Sequence, residues 1–177
     1  MKKLSTRQIL QKNQQRNSPL RDHFILWLHN IRSLHNVGAG FRNADAFGIH
    51  ELWFSGFTPT PPRPEITKTA IGAEEHVSWK KIEHAIKQIH QLKNEGYAVL
   101  ALEQTNESIP IHHYQLSGKP VCLILGNEVT GVDEEILQET DASIEIPQFG
   151  MKHSLNVSVA SGVALYAFYE KFSRTSR

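Results

Sequence analysis

Apolar residues along this chain collect in short runs, each separated from the next by an amphipathic or glycine-rich stretch. Segments 23–28 (HFILWL), 51–54 (ELWF), 97–102 (YAVLAL), 121–125 (VCLIL) and 143–146 (SIEI) predict strands. Several are apolar at consecutive positions, as strands of a parallel sheet covered on both faces must be. Segment 81–94 sets Ile82, Ala85, Ile86, Ile89 and Leu92 at helical spacing and runs into Gly96, which predicts a helix with a glycine stop. The alternation is that of an α/β protein. Segment 55–64 holds four prolines and predicts an irregular surface loop; no internal repeat is present.

The final stretch, 154–172, predicts a helix of another kind. Leu155, Val159, Val163, Tyr166 and Tyr169 fall near one stripe, while Val157, Ala160, Ala164, Leu165 and Phe168 occupy much of the remaining surface. A helix apolar on most faces needs cover on more than one side. The sheet supplies one cover; the other is either a partner subunit or the rest of a core that surrounds the helix.

Composition narrows the class. At 177 residues the chain fits one domain with a core of its own. No stretch approaches the ~20 apolar residues of a membrane span, and the basic amino terminus lacks the apolar core of a secretory signal, so a cytoplasmic location is expected. The single cysteine, Cys122, lies in an apolar run and reads as a small buried hydrophobe. Ten histidines are scattered without zinc-site spacing, so no metal is expected, and adjacent His112 and His113 read as solvated loop residues.

The net charge of +1 hides an uneven distribution. Residues 1–21 carry Lys2, Lys3, Arg7, Lys12, Arg16 and Arg21 with no acid, and Lys171, Arg174 and Arg177 follow at the other end, while the body between has a net charge of −8. Basic ends on an acidic body suit an arm (1–21) that reaches for phosphate, with a plain solvated tail as the alternative.

Three glycine- and asparagine-rich segments carry the candidate chemistry, each placed where α/β proteins put ligand loops. In segment 30–48 (NIRSLHNVGAGFRNADAFG), Gly38 and Gly40 would let backbone approach a ligand, and Asn36 and Arg42, read near a helix start, suit phosphate or ribose contact. Asn43 stands where a dinucleotide fingerprint would need its third glycine. Segment 123–132 (LILGNEVTGV) is a buried strand breaking into a tight turn around Glu128, itself either functional or a helix-start carboxylate. In segment 146–159 (IPQFGMKHSLNVSV), Ser154 and Asn156 open the apolar helix, with Ser154 a plausible N-cap. No GxSxG elbow surrounds Ser154, which argues against a serine hydrolase.

Taken in order, NVGAGFRNADAFG, LILGNEVTGV and IPQFGMKHSLNVSVASGVALY resemble motifs 1, 2 and 3 of the SpoU-family RNA 2'-O-ribose methyltransferases, in particular the TrmH branch, including the stretch KTAIGAEEHVSW between them. The resemblance spans roughly residues 23–170. It implies a SPOUT (alpha/beta knot) domain over 22–177, with a parallel sheet and a carboxy-terminal deep trefoil knot. It implies S-adenosylmethionine as cofactor, held by Leu102, Gly126, Ile146, Ser154 and Leu155, and a homodimer packed through the carboxy-terminal helix. Its catalytic set comprises Arg42, Asn36, Glu128, Ser154 and Asn156, and its substrate is structured RNA, tRNA before ribosomal RNA. Arg42 matches the arginine that the family regards as catalytic. Because a guanidinium stays protonated, the physical expectation is that Arg42 grips a phosphate and steadies charge on the ribose oxygen, not that it takes the proton. Asn36 and Asn156 would orient the ribose or Arg42, and Glu128 would hold the loops. A catalytically silent RNA-binding module on the same fold is the rival expectation; a nucleotide-dependent oxidoreductase lacks its fingerprint.

Overall fold

The computed structural model describes residues 1–49, 51–152 and 154–175. Arg177 of the basic carboxy-terminal segment and His153 of the third motif lie outside the described residues. Seven strands, β1 (Phe24–His29), β2 (Glu51–Ser55), β3 (Ser78–Ile82), β4 (Ala98–Leu102), β5 (Ile109–Pro110), β6 (Val121–Leu125) and β7 (Ala142–Glu145), form one sheet in the order β3-β2-β1-β6-β4-β7-β5. Every pairing is parallel. The expected α/β class with a parallel sheet is what the chain adopts.

Strand periodicity explains the layers. On β1, Phe24, Leu26 and Leu28 point into one apolar cluster and Ile25 and Trp27 into another. Val121, Leu123 and Leu125 of β6 join the first cluster, and Cys122 and Ile124 the second. The first face is covered by α2 (Leu34–Phe47), α3 (Pro64–Ala70) and α6 (Val157–Thr175), the second by α4 (Ala85–Asn94) and α5 (Glu134–Glu139). Central strands apolar on both sides are thereby accounted for. Cys122 is fully buried, and burial pushes its thiol pKa well up, so it is an inert core residue.

Two element boundaries differ from expectation. The helix expected over 81–94 begins only at Ala85, because Lys81 and Ile82 belong to the edge strand β3, which pairs with β2 through backbone bonds while Ser78–Lys81 stay exposed. The last helix begins at Val157, not Ser154. Its cap is Asn156, whose Oδ1 accepts from the Ser158 N–H at 2.9 Å. On α6, Ala164, Leu165, Phe168 and Phe172 are buried, whereas Leu155, just before the helix, and Val159, Val163, Tyr166 and Tyr169 are exposed.

Segment 1–21 forms α1 (Thr6–Gln14), closed at its start by a Ser5/Gln8 capping box and burying no residue. The chain meets the body at Ser18, whose hydroxyl donates to the Phe47 carbonyl, and at Leu20, which is fully buried.

Gly38 and Gly40 serve packing, contrary to the expectation of a ligand. A Cβ at Gly38 would lie 2.4 Å from the Ile66 carbonyl oxygen and 1.9 Å from Thr69 Oγ1, so α3 crosses α2 where no side chain fits. One at Gly40 would press on Leu28. Gly38→Ala is therefore expected to lower unfolding free energy by about 1–3 kcal/mol, the usual cost of overpacking, as measured by urea denaturation.

Candidate functional site

Beyond the carboxy ends of β4, β6 and β7 the structure opens a cavity of about 530 Å³, within the range of small-ligand sites. Three separated loops build it: 102–104 after β4, 125–131 after β6, and 145–148 after β7, with residues 154–157 closing one side. Leu102, Gly126, Ile146, Ser154 and Leu155 all line it, as do Glu128 and Asn156. Asn36 stands just behind these two, while Arg42 is outside the lining, on the exposed face of α2. Arg42 therefore sits in the third turn of α2, not near its start.

Glu128 organises the junction. Its carboxylate accepts from the Arg32 N–H at 2.9 Å, the Ser33 N–H at 3.0 Å and the Asn36 side-chain amide at 2.9 Å. These donors stand at the amino end of α2, where N–H groups lack helical partners and the dipole favours a negative charge. The Asn36 carbonyl in turn accepts from the Asn156 amide at 3.2 Å, which ties the same point to the start of α6. Burial alone would raise the Glu128 pKa. The Arg32 N–H, the Asn36 amide and the Ser33 N–H outweigh it, and the net shift is downward.

The turn after β6 is pinned from within. Asn127 and Gly131 exchange backbone hydrogen bonds, the Asn127 side chain donates to the Asn30 carbonyl at 2.7 Å, and its oxygen accepts from Val129 and Thr130. Gly131 has φ +72°, and a Cβ there would lie 2.1 Å from Glu103 Oε2, the atom that accepts from the Val132 N–H. Asn127 and Glu103 are site residues that the sequence reading passed over. Asn127, between two glycines' reach, carried the turn-forming signal that could have found it; Glu103, distant in sequence, carried none.

Asn43, noticed only as a missing glycine, donates to the Ser158 carbonyl and the Ser161 hydroxyl and so fastens α2 to α6. Beneath the turn, Ser55, His29 and Asp133 form a hydrogen-bonded chain. Ser55 is 1% exposed and also accepts from Trp27, so this is an internal brace and not a hydrolytic triad.

The cavity joins apolar surface, from Leu102, Leu125, Ile146, Leu155 and Val157, to the carboxylates of Glu103, Glu128 and Glu145. Such a wall suits a ligand with a flat apolar part and a positive charge, the chemistry of a sulfonium nucleoside. Among the described residues, no group of three His, Cys, Asp or Glu side chains is placed to hold a metal ion.

The sequence pattern of the SpoU rRNA Methylase family matches residues 23–166. A tRNA (guanosine(18)-2'-O)-methyltransferase of Aquifex aeolicus is 31% identical over 90% of this chain and 72% of that enzyme. The crystal structure of the A. aeolicus TrmH/SpoU tRNA modifying enzyme superposes with a TM-score of 0.81 at 28% identity, covering 90% of this chain and 80% of that one. The AdoMet-bound rRNA methyltransferase from Sinorhizobium meliloti gives 0.77 at 27% identity, and this chain, 85% covered, spans only 57% of it.

A depressed carboxylate pKa adds stability that is present above its unfolded value, about 4.3 for Glu, and is lost as pH falls through the folded value. Glu128→Gln is accordingly expected to flatten the acid limb of the stability–pH curve, measured by urea melts between pH 3 and 7, and to weaken cofactor binding by loosening the turn.

Proposed function

The chain belongs to the SpoU rRNA Methylase family, and from that premise we propose that it methylates a ribose 2'-hydroxyl of structured RNA, tRNA before ribosomal RNA, at the cavity beyond β4, β6 and β7. It is an RNA methyltransferase, and S-adenosylmethionine is its cofactor. The observation that carries the reading is the convergence of Leu102, Gly126, Ile146, Ser154 and Leu155, from three loops and the segment leading into α6, on one carboxylate-bearing cavity joined by Glu128 and Asn36 to α2. The A. aeolicus relative's name supports a tRNA substrate and the S. meliloti protein's name supports rRNA.

Bound S-adenosylmethionine supplies a methyl group on a cationic sulfur. Leu102, Gly126, Ile146, Ser154 and Leu155 hold and orient it, and the cavity carboxylates complement its charge. Arg42, exposed and without an ion-pair partner among the described residues, grips the RNA phosphate beside the target ribose and steadies charge developing on the 2'-oxygen. Asn36 and Asn156 align the ribose. The 2'-hydroxyl proton passes to phosphate or water, since a guanidinium does not accept it.

The assembly is a homodimer in which the exposed stripe Val159, Val163, Tyr166 and Tyr169 of α6 meets its symmetry mate. The proposal includes the carboxy-terminal trefoil knot that the family resemblance implies, and the meeting of loops 125–131 and 145–148 at one cavity supports it. Residues 1–21 act as the RNA-binding arm of a methyltransferase domain over 22–177, and the enzyme works in the cytoplasm.

Incubating the protein with methyl-labelled S-adenosylmethionine and, separately, total tRNA and ribosomal RNA tests the reading. Label recovered as a 2'-O-methylnucleoside is the expected result; label on a base, or on neither RNA, would overturn it. Arg42→Ala is expected to lower methyl transfer on the order of 10²-fold while leaving cofactor affinity within twofold by calorimetry. Val163→Glu should convert the dimer to monomer by light scattering.

A further inference from the structure

A second, polar cleft of about 380 Å³ lies where the amino-terminal arm meets the body. One wall is the end of α1 and the turn after it, with Asn13, Gln14, Arg16 and Arg21; the other is the end of α2, with Asp45 and Gly48. Arg16 and Arg21 are exposed, and neither guanidinium has a hydrogen bond or ion pair among the described residues. Asp45 is the single carboxylate in the lining, so the two arginines leave the cleft net positive.

We propose that this cleft is a binding subsite for the RNA phosphate backbone, several nucleotides away from the ribose that reacts. The inference rests on the RNA methyltransferase reading above and adds a place and a set of residues to it.

Three observations carry it. The hinge between the arginines is anchored: the Ser18 hydroxyl bonds the Phe47 carbonyl, the Leu20 N–H donates to that hydroxyl at 3.1 Å, and Leu20 is buried. A Cβ at Gly48 would come within 2.9 Å of Ser18 Cβ, so the body is shaped to receive the hinge. Arg16 and Arg21 flank this fixed point, which sets where their backbone stands although α1 itself buries no residue.

The cleft and the active cavity also stand at the two ends of one helix. The 14-residue α2 has its amino end clasped by Glu128 at the cavity and its carboxy end in the cleft, a span of about 21 Å at 1.5 Å per residue. His35 and Arg42, seven residues apart and both exposed, stand along the way on one face of the helix. A strand stacked at about 3.4 Å per nucleotide would cover that span with roughly six nucleotides. Finally, the donor chemistry matches: guanidinium forks grip phosphate oxygens, and the Asn13 and Gln14 amides suit ribose or base edges. An acidic protein segment would satisfy the arginines alone and has no reason to follow α2 to the cavity.

The test compares full-length protein with the R16A/R21A and R16K/R21K pairs, using whichever transcript, tRNA or ribosomal RNA fragment, the wild type methylates. RNA affinity is measured across 50–200 mM salt and cofactor affinity by calorimetry. The alanine pair is expected to weaken RNA binding about tenfold or more, to raise the KM for RNA, and to shallow the log–log salt slope by about 1.4–1.8, two phosphates at 0.7–0.9 each. Cofactor affinity should stay within twofold. The lysine pair should restore the slope and only part of the affinity, because a point charge lacks the fork.

An alanine pair with wild-type affinity and slope would overturn the subsite while leaving the methyltransferase intact. If that pair loses cofactor binding as well, the lysine pair decides, and an undiminished RNA affinity there would overturn it. Wild-type protein that binds cofactor but no RNA would sink the RNA reading and the subsite together.

Discussion

One carboxylate holds the site together. Glu128 reaches back about a hundred residues along the chain to take the Arg32 and Ser33 N–H groups and the Asn36 amide, all at the amino end of α2. Those N–H groups stand at the N-cap of α2 and on the residue before it, where the helix dipole favours an anion. With Glu128 removed, two backbone donors and one amide lose their partner at once, and the turn after β6 loses its hold on α2. The cavity depends on that turn, because the Asn127–Gly131 bridge and the Glu103 contact fix its shape only relative to the strands beneath. Asn36 then extends the tie to Asn156, so one cluster of polar bonds sets where loop, α2 and α6 stand.

The pitch of α2 distributes these duties over separate faces. Val37, Phe41 and Ala44 enter the core. Gly38 meets α3. Asn36, Asn43 and Phe47, at intervals of seven and four residues, face α6 and bond or stack in turn with Asn156, with Ser158 and Ser161, and with Tyr166 and Tyr169. His35 and Arg42 are left toward solvent. A helix fixed on three sides offers its fourth as a rigid rail, which is what a residue aligning an external polymer requires.

How far the chain could be read from its letters follows the same physics. The central strands β1, β4 and β6 were found to within a residue, because burial on both faces demands an unbroken apolar run. Edge strand β3 was missed, since SWKK shows no such run and the strand forms through backbone pairing with β2. The arm was legible as charge and not as a helix, because α1 buries nothing and so has no apolar stripe to announce it. By residue type Ser154 suits the cap, yet α6 is capped by Asn156, two residues downstream. The cavity itself was legible only through the resemblance: no local pattern tells Glu128 that its partners are Arg32 and Ser33, and spacing does not bring residues 102, 126, 146 and 154 to one place.

The state of the carboxylates bears on the proposed chemistry. Glu103 accepts from Val132 and Gln104, Glu145 from the Ser108 hydroxyl, and Glu128 from three donors that also depress its pKa. Glu128, whose lone pairs are engaged by three donors and whose basicity those bonds lower, is poorly suited to take a proton from a hydroxyl. A guanidinium does not accept a proton in water. In the proposed chemistry the acids of this cavity are architectural and electrostatic: they shape the turn and oppose the cofactor's positive charge, and the proton goes to the RNA's own phosphate or to water. A site of that kind accelerates transfer by alignment, a term that reaches about 7–11 kcal/mol when reacting atoms are held in line. On that proposal the clasp of α2 by Glu128 serves catalysis through alignment, although neither touches the methyl group.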